Sequence, residues 1–199
     1  MHFSLILVGA HDGSKSEQAV RCACERGHVL LIEPVRWLFD RLQDRFRNLA
    51  NIQLCNCAIS TRDGEADFYA PLQSANEVAP WGDQLGSFNP THAQEHDPRF
   101  IGKIAVERVR TMTFASLIKR HGISAIDLLM TDTEGYDAKL LSGFPFELLR
   151  PHRILFEFKH SDGVFHIGKS FARIVTVLDS LNYNIRIADE ENCMATLKV

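Results

Sequence analysis

The sequence predicts an α/β domain: a mostly parallel sheet with helices on both faces. Three observations carry that prediction. Short, continuous apolar runs ("FSLIL", "HVLLI", "RILFEF") recur between amphipathic stretches, as strands buried on both faces do. The first two runs frame a glycine turn and a helical stretch, which makes a parallel βαβα opening. The last two runs, "YNIRIA" and "CMATLKV", are separated only by the polar turn "DEEN", so the sheet should close on an antiparallel hairpin.

Taken in order, "FSLIL" leads into "VGAHDGS", with Gly9 and Gly13 four residues apart. Glycine permits positive φ and leaves the backbone bare, so this turn is the expected place for a ligand to approach. In the next helix, "KSEQAVRCACERG", Ser14 is the expected N-cap, Glu17 its capping-box partner and Gly27 the stop. "HVLLIE" ends on Glu33. Pro34 then opens a helix whose Leu38, Phe39, Leu42, Phe46 and Leu49 make one apolar face, while Arg36, Arg41, Arg45 and Arg47 alternate with Asp40 and Asp44 as a solvated one. "NIQLCNCAIS" is expected as a third strand and "GEADFYA" as a short antiparallel addition.

Periodicity is lost over about 71–105, where Pro, Gly, Asn and His gather around Trp81, Phe88 and Phe100. Such a segment is either a lid or binding loop, or a disordered surface insertion. "VERVRTMTFASLIKRHG" restores a strand and a helix stopped by Gly122, and "IDLLMTDTEGYD" holds a buried strand ending on Asp132. Helices are expected over 136–149 and 169–181, on either side of "RILFEFK".

Composition narrows the classes. The 199 residues are 45% hydrophobic and 24% charged, so a single globular domain over 1–199 is expected rather than a disordered chain. With 22 Lys and Arg against 25 Asp and Glu, the net charge of −3 gives no reason to expect a nucleic-acid partner. No stretch has the length of a membrane span and no signal peptide is evident, so a cytoplasmic address is expected. The five cysteines form no CxxC pair and read as reduced thiols.

In doubly wound sheets, ligands lie beyond the carboxyl ends of the strands. The "GAHDG" turn, Glu33, the "NCAIS" exit and "DTEGYD" all fall at such ends. A carboxylate 24 residues after Gly9 is placed to accept both hydroxyl hydrogens of an adenosine ribose. The glycines are spaced G-x-x-x-G rather than G-x-G-x-x-G, with Asp12 inside the turn. An anion there opposes a pyrophosphate and favours the sulfonium and ammonium of S-adenosylmethionine.

"VGAHDGS", "LLIEP", "CAIS", "LLMTDTEGYDAKLLSGF" and "ILFEF", in that order, resemble the FkbM-type S-adenosylmethionine-dependent methyltransferases over residues 5–183. The resemblance implies a Rossmann-like methyltransferase fold, a seven-stranded sheet with an antiparallel strand at its C-terminal end. It also implies methylation of a hydroxyl, often on a sugar or glycan. The chain departs from the family pattern at His11, where members usually carry Asn, and at Met130, where Lys is common, so no role of that lysine carries over. The chain starts almost at its first strand, which leads to the expectation of an open cofactor pocket or one completed by a second copy in a homo-oligomer.

On this reading Gly9, Ala10, His11, Asp12 and Gly13 form the cofactor turn, Glu33 and Pro34 meet the ribose, and Ala58 and Ile59 flank the adenine. Asp132 meets the cofactor's amino end or the acceptor, a small molecule or carbohydrate. Glu134 assists the acceptor hydroxyl, and His160, His92 and His96 are further candidate bases. A divalent metal on Asp132, Glu134 and Glu157 is chemically reasonable but not favoured over a metal-free site. A nicotinamide-dependent oxidoreductase and a catalytically silent adenosyl-binding module stay open as alternatives.

Overall fold

The computed structural model describes residues 1–198; Val199, the last residue of the expected closing strand, lies outside them. Alternation along the first strand, β1 (His2–Val8), divides the core into two layers. Leu5 and Leu7 pack on one side with Val20, Ala23, Phe39, Leu42 and Phe46, which belong to α1 (Glu17–Cys24) and α2 (Arg36–Phe46). Ile6 and Val8 point to the other side, which is covered by α4 (Phe114–His121), α5 (Asp137–Ser142) and α6 (Lys169–Ser180). A period-2 strand between two helical layers is the physical content of an α/β sandwich.

The remaining strands are β2 (His28–Ile32), β3 (Ile52–Cys55), β4 (Ala58–Ile59), β5 (Gly64–Pro71), β6 (Ile104–Met112), β7 (Ala125–Ile126), β8 (Leu128–Thr131), β9 (Arg153–Glu157), β10 (Tyr183–Ile187) and β11 (Asn192–Leu197). The main sheet runs β10-β11-β9-β8-β1-β2-β3, with β7 pairing β1 beside this path. β11 is antiparallel to both β9 and β10, whereas β9, β8, β1, β2 and β3 pair in parallel. The expected Rossmann-like fold with its antiparallel closing strand is therefore present. Strand order reverses between β1 and β8, so their carboxyl ends flank the natural crevice of the sheet.

Several local expectations are corrected. "NIQLCNCAIS" is two strands in two sheets: β3 extends the main sheet, while β4 joins β6 and β5 in a separate three-stranded sheet. The break falls at Asn56, whose Nδ2 donates to the carbonyls of Glu33 and Pro34 at 2.8 and 2.9 Å and so holds the chain away from the sheet line. α1 begins at Glu17, not behind Ser14: the Ser14 amide donates to Asp12 Oδ1 instead, and Glu17 is engaged by Arg21 and Arg45 rather than by a cap. α2 starts two residues after Pro34, with Val35 at its N-cap.

α5 stops at Ser142 because Gly143 and Pro145 break it, and Phe144 and Phe146 then stack in a row with Phe114 and Tyr183. The aperiodic segment is ordered rather than disordered. It forms short turns and one helical turn, α3 (His92–His96), around the buried Ala75, Leu85, Ala93 and Phe100.

The two opening glycines answer to packing before they answer to any ligand. At Gly9, with φ +80°, a Cβ would lie 1.8 Å from the Asp132 carbonyl oxygen; at Gly13, with φ +76°, it would strike Phe46 Cε2 at 2.5 Å. Gly102 has nearly the same φ, +77°, but nothing stands within 4 Å of its Cβ position. Gly102→Ala should therefore cost only the left-handed backbone penalty of about 1 kcal/mol, whereas Gly9→Ala adds a backbone collision and should cost about 3 kcal/mol or more. Urea denaturation of the two variants distinguishes them; equal losses would mean that the β1 and β8 exits do not meet as described.

Candidate functional site

The site is built where β1, β2 and β8 end. A cavity of about 290 Å³ opens there, and Gly9, Ala10, His11, Glu33, Pro34, Ala58, Ile59, Asp132 and Glu134 are among its lining residues. The expected strand-end features thus come together around one space. Asp12, Gly13, Glu157 and His160 are not among the lining residues.

Glu33 stands at the exit of β2, 4% exposed, with each carboxylate oxygen held by one backbone amide. His11 N donates to Oε2 and Val35 N to Oε1, both at 2.9 Å. One carboxylate thereby ties the β1 turn to the start of α2, and its remaining lone pairs are available to the cavity. Leu38, Cys57, Ala58, Ile59 and Phe68 supply an apolar wall beside it.

The turn itself does not present Asp12 to the cavity. Asp12 Oδ1 accepts from Ser14 N at 2.9 Å and sits 3.2 Å from His11 Nδ1, while Oδ2 pairs with Arg45 at 3.2 Å. Arg45 Nε also donates to the Asp12 carbonyl at 2.8 Å, so one arginine of the supposed solvated face pins the turn. The carboxylates that line the cavity are those of Glu33, Asp83, Asp132 and Glu134 instead.

The "DTEG" turn after β8 is built on backbone strain. Glu134 has φ +51°, rare for a residue with a side chain, and Gly135 has φ +87°, with the His160 carbonyl oxygen 2.5 Å from where its Cβ would be. Fully buried Asp137 holds the turn by accepting from Thr133 N at 3.1 Å and Thr133 Oγ1 at 2.8 Å. The Glu134 carboxylate meets His92, whose Nε2 lies 3.0 Å from Oε2.

The aperiodic segment covers the cavity. Asp83, Gln84, Gly86 and Phe88 line it, and Phe88 stacks on Tyr136 with ring centroids 5.0 Å apart. Asn76 fixes Asp83 by two hydrogen bonds, and Asp83 Oδ1 stands 3.4 Å from His11 Nε2. Gln84 accepts from Lys15 just past the β1 turn. Asp83 and Gln84 are not singled out by sequence reasoning, because neither stands at a strand end, and Asn56 reads only as part of one continuous strand; Phe88 is named only as one of the aromatics of the aperiodic stretch, which is the available signal.

His160 is turned from the cavity. The Phe165 amide donates to its Nδ1 at 2.9 Å, which leaves the Nε2 hydrogen facing Glu157 Oε1 at 3.5 Å. The carboxylate set Asp132, Glu134 and Glu157 is not gathered for a metal. Among the described residues, the ligand atoms that converge are those of His92, His96 and Glu134, all within 4.8 Å of one another.

Burial sets the electrostatics. It pushes Glu33 up to about 7, against the pull of the Val35 and His11 amides and with help from Glu107. Burial, then Glu134 and Asp137, raise Asp132 to about 7, which Lys15 opposes. Burial and the same acidic neighbours, Asp132 included, raise Glu157 to about 10. Burial would raise Asp12 as well, but hydrogen bonds from Ser14 and His11 outweigh it and hold this carboxyl at about 2. Burial, with His92 next to it, lowers His96 to about 4, and burial lowers His160. The crevice gathers carboxylates that resist ionisation until a cation or a hydrogen-bond donor arrives.

A family profile described as "Methyltransferase FkbM domain" matches residues 8–185. The 2-O-methyltransferase NoeI of Sinorhizobium fredii (strain NBRC 101917 / NGR234) is 26% identical over 158 residues, 78% of this chain and 63% of the relative. The chain thus spans less than two thirds of that protein's length. Among solved structures, the fibrillarin/Nop5p complex is similar at a TM-score of 0.50 and 10% identity, over 99% of this chain and 73% of that one. A methyltransferase from Geobacter sulfurreducens is similar at a TM-score of 0.50 and 12% identity, over 99% and 72%. At these identities the two structures speak to the fold.

Glu33 rises on folding from its ordinary 4.5 to about 7, so the folded state holds an extra proton between those values. The stability it contributes is complete below pH 4.5 and is lost as pH rises through about 7. Between pH 5 and pH 8 the wild-type protein should lose about 2 to 3 kcal/mol more unfolding free energy than Glu33→Gln, as read by urea denaturation. Parallel pH dependences for the two proteins would show that Glu33 is not buried as described.

Proposed function

Because the chain belongs to the FkbM methyltransferase family, whose members use S-adenosylmethionine, we propose that its cavity binds this cofactor and that the protein methylates a hydroxyl, with a sugar or glycan as the acceptor class. The observation that carries the reading is Glu33: a buried carboxylate at the end of β2, oriented by two backbone amides and open to the cavity, suits the paired hydroxyls of a ribose. The methyltransferase family leaves the nicotinamide oxidoreductase alternative without support.

Each lining residue has a role in this proposal. Gly9, Ala10 and His11 run beneath the cofactor, Pro34 follows the ribose-binding Glu33, and Ala58 and Ile59 flank the adenine. Asp132 receives the cofactor's ammonium. Glu134 takes the acceptor's hydroxyl proton as the oxygen attacks the methyl carbon. The carbon–sulfur bond breaks with its electron pair on sulfur, and a carbon–oxygen bond forms. His160 is a positioning residue on this account, since its ring faces Glu157.

The name of the S. fredii relative, a 2-O-methyltransferase, supports oxygen as the acceptor atom. The net charge of −3 and the carboxylates of the crevice support a neutral polyhydroxyl acceptor over a polyanion. No helix among the described residues is long and apolar enough to cross a membrane.

Calorimetric titration tests the cofactor: S-adenosylmethionine and S-adenosylhomocysteine should bind saturably and NAD should not. Glu33→Gln should weaken S-adenosylmethionine binding roughly ten- to a hundredfold, the effect of losing charge-assisted hydrogen bonds. Ribose hydroxyls donate to the ionised carboxylate, so wild-type affinity should fall as pH drops below about 7, and Glu33→Gln should lose that dependence. NAD binding, or an unaltered Glu33→Gln, would overturn the assignment. Binding with no methyl transfer to any of a panel of polyhydroxyl acceptors would favour the silent module.

A further inference from the structure

We propose that His92, His96 and Glu134 form a site for one zinc-class divalent cation on the side of the cavity covered by the aperiodic segment. His92 and His96 are the two ends of α3, four residues apart, and so project to the same side of the helical turn. Glu134 comes from the opposite wall, at the end of β8. Ligand atoms about 2 Å from a tetrahedral ion stand roughly 3.3 Å apart. His92 Nε2 and Glu134 Oε2, at 3.0 Å, are already at that separation, and a cation would replace the proton now between them. A ring nitrogen of His96 lies within 4.8 Å of the other ligand atoms and needs a movement of roughly 1.5 Å, within reach of side-chain rotation.

A second observation points to a ligand. His96 Nε2 is enclosed and has no hydrogen-bond partner among the described residues, and it is the one such atom that belongs to a converging set of metal-ligating side chains. Trp81, Phe165 and His160 surround the His96 ring at centroid distances of 5.8, 5.2 and 4.8 Å. Two imidazoles and one carboxylate suit zinc and its transition-metal neighbours, whereas magnesium and calcium prefer oxygen alone. Three protein ligands also leave a fourth position open, the arrangement of catalytic rather than structural zinc.

Glu134 lines the cavity as well. If the proposed function holds, the open position would take the acceptor's hydroxyl oxygen, and the second carboxylate oxygen of Glu134 stays free for its proton. Cation binding itself does not depend on that step.

The protein, stripped with a chelator, should be titrated calorimetrically with Zn²⁺ and, in parallel, with Co²⁺ followed by visible absorption. One equivalent should bind, with the ligand-field bands of a low-symmetry Co²⁺ site. His96→Gln, a change at a partly exposed ring, should weaken zinc at least about tenfold, and His92→Gln/His96→Gln should abolish stoichiometric binding. With nine histidines in the chain, His152→Gln, at an exposed position, is the control and should bind as wild type. No stoichiometric binding to wild type overturns the site, and so does equal affinity in His96→Gln. Circular dichroism checks folding, and His96→Gln alone decides the matter if the double variant does not fold. S-adenosylmethionine titrations of the same proteins separate the two proposals: zinc binding without cofactor binding keeps the site and rejects the function, and the reverse rejects only the site.

Discussion

The place where β1 and β8 leave the sheet has no room for a side chain. A Cβ on Gly9 would sit 1.8 Å from the Asp132 carbonyl oxygen, so the two exits pass backbone against backbone. That contact lies at the wall of the cavity, which both Gly9 and Asp132 line. From it, the β1 turn reaches across to Glu33 through the His11 amide, and the "DTEG" turn reaches upward to carry Glu134. The polar side chains Glu33 and Glu134 thus enter the cavity already held by hydrogen bonds, opposite its apolar wall.

Much of this frame was legible in the sequence, because ligand-facing residues of a parallel sheet sit at strand ends and apolar runs mark where strands end. Gly9, Glu33, Asp132 and Glu134 were found that way. Asp12 was misread: its position inside the turn is as expected, but Arg45, thirty-three residues further along the chain, reaches back to neutralise it. A long-range ion pair leaves no local pattern. The same holds for Asn56, whose side chain splits one apolar run between two sheets, and for Asp83 and Phe88, which come to the cavity from an aperiodic stretch. α5 was drawn too long although Gly143 and Pro145 stood in plain view; its apolar continuation belongs to an aromatic row, not to a helix.

The crevice concentrates acid in a poorly solvated space. Glu33, Asp132 and Glu157 are all raised by burial; Asp132 and Glu157 are raised further by Glu134 and Asp137, and Glu157 also by Asp132. Such a set is unfavourable in an empty pocket and becomes favourable when positive charge or directed hydroxyl groups enter it. Binding and protonation are coupled here by construction, since the same burial that orients the carboxylates also withholds their charge.

The aperiodic segment has its own small core of Ala75, Leu85, Ala93 and Phe100, separate from the layers that flank the sheet. It touches the β1 turn through side chains, His11 with Asp83 and Lys15 with Gln84, more than through shared packing. Heritable change can therefore fall on the two halves of the crevice unequally. Substitutions on the cavity-facing side of this cap, at Gln84, Gly86 or Phe88, can reshape what the crevice admits while leaving the strand exits untouched.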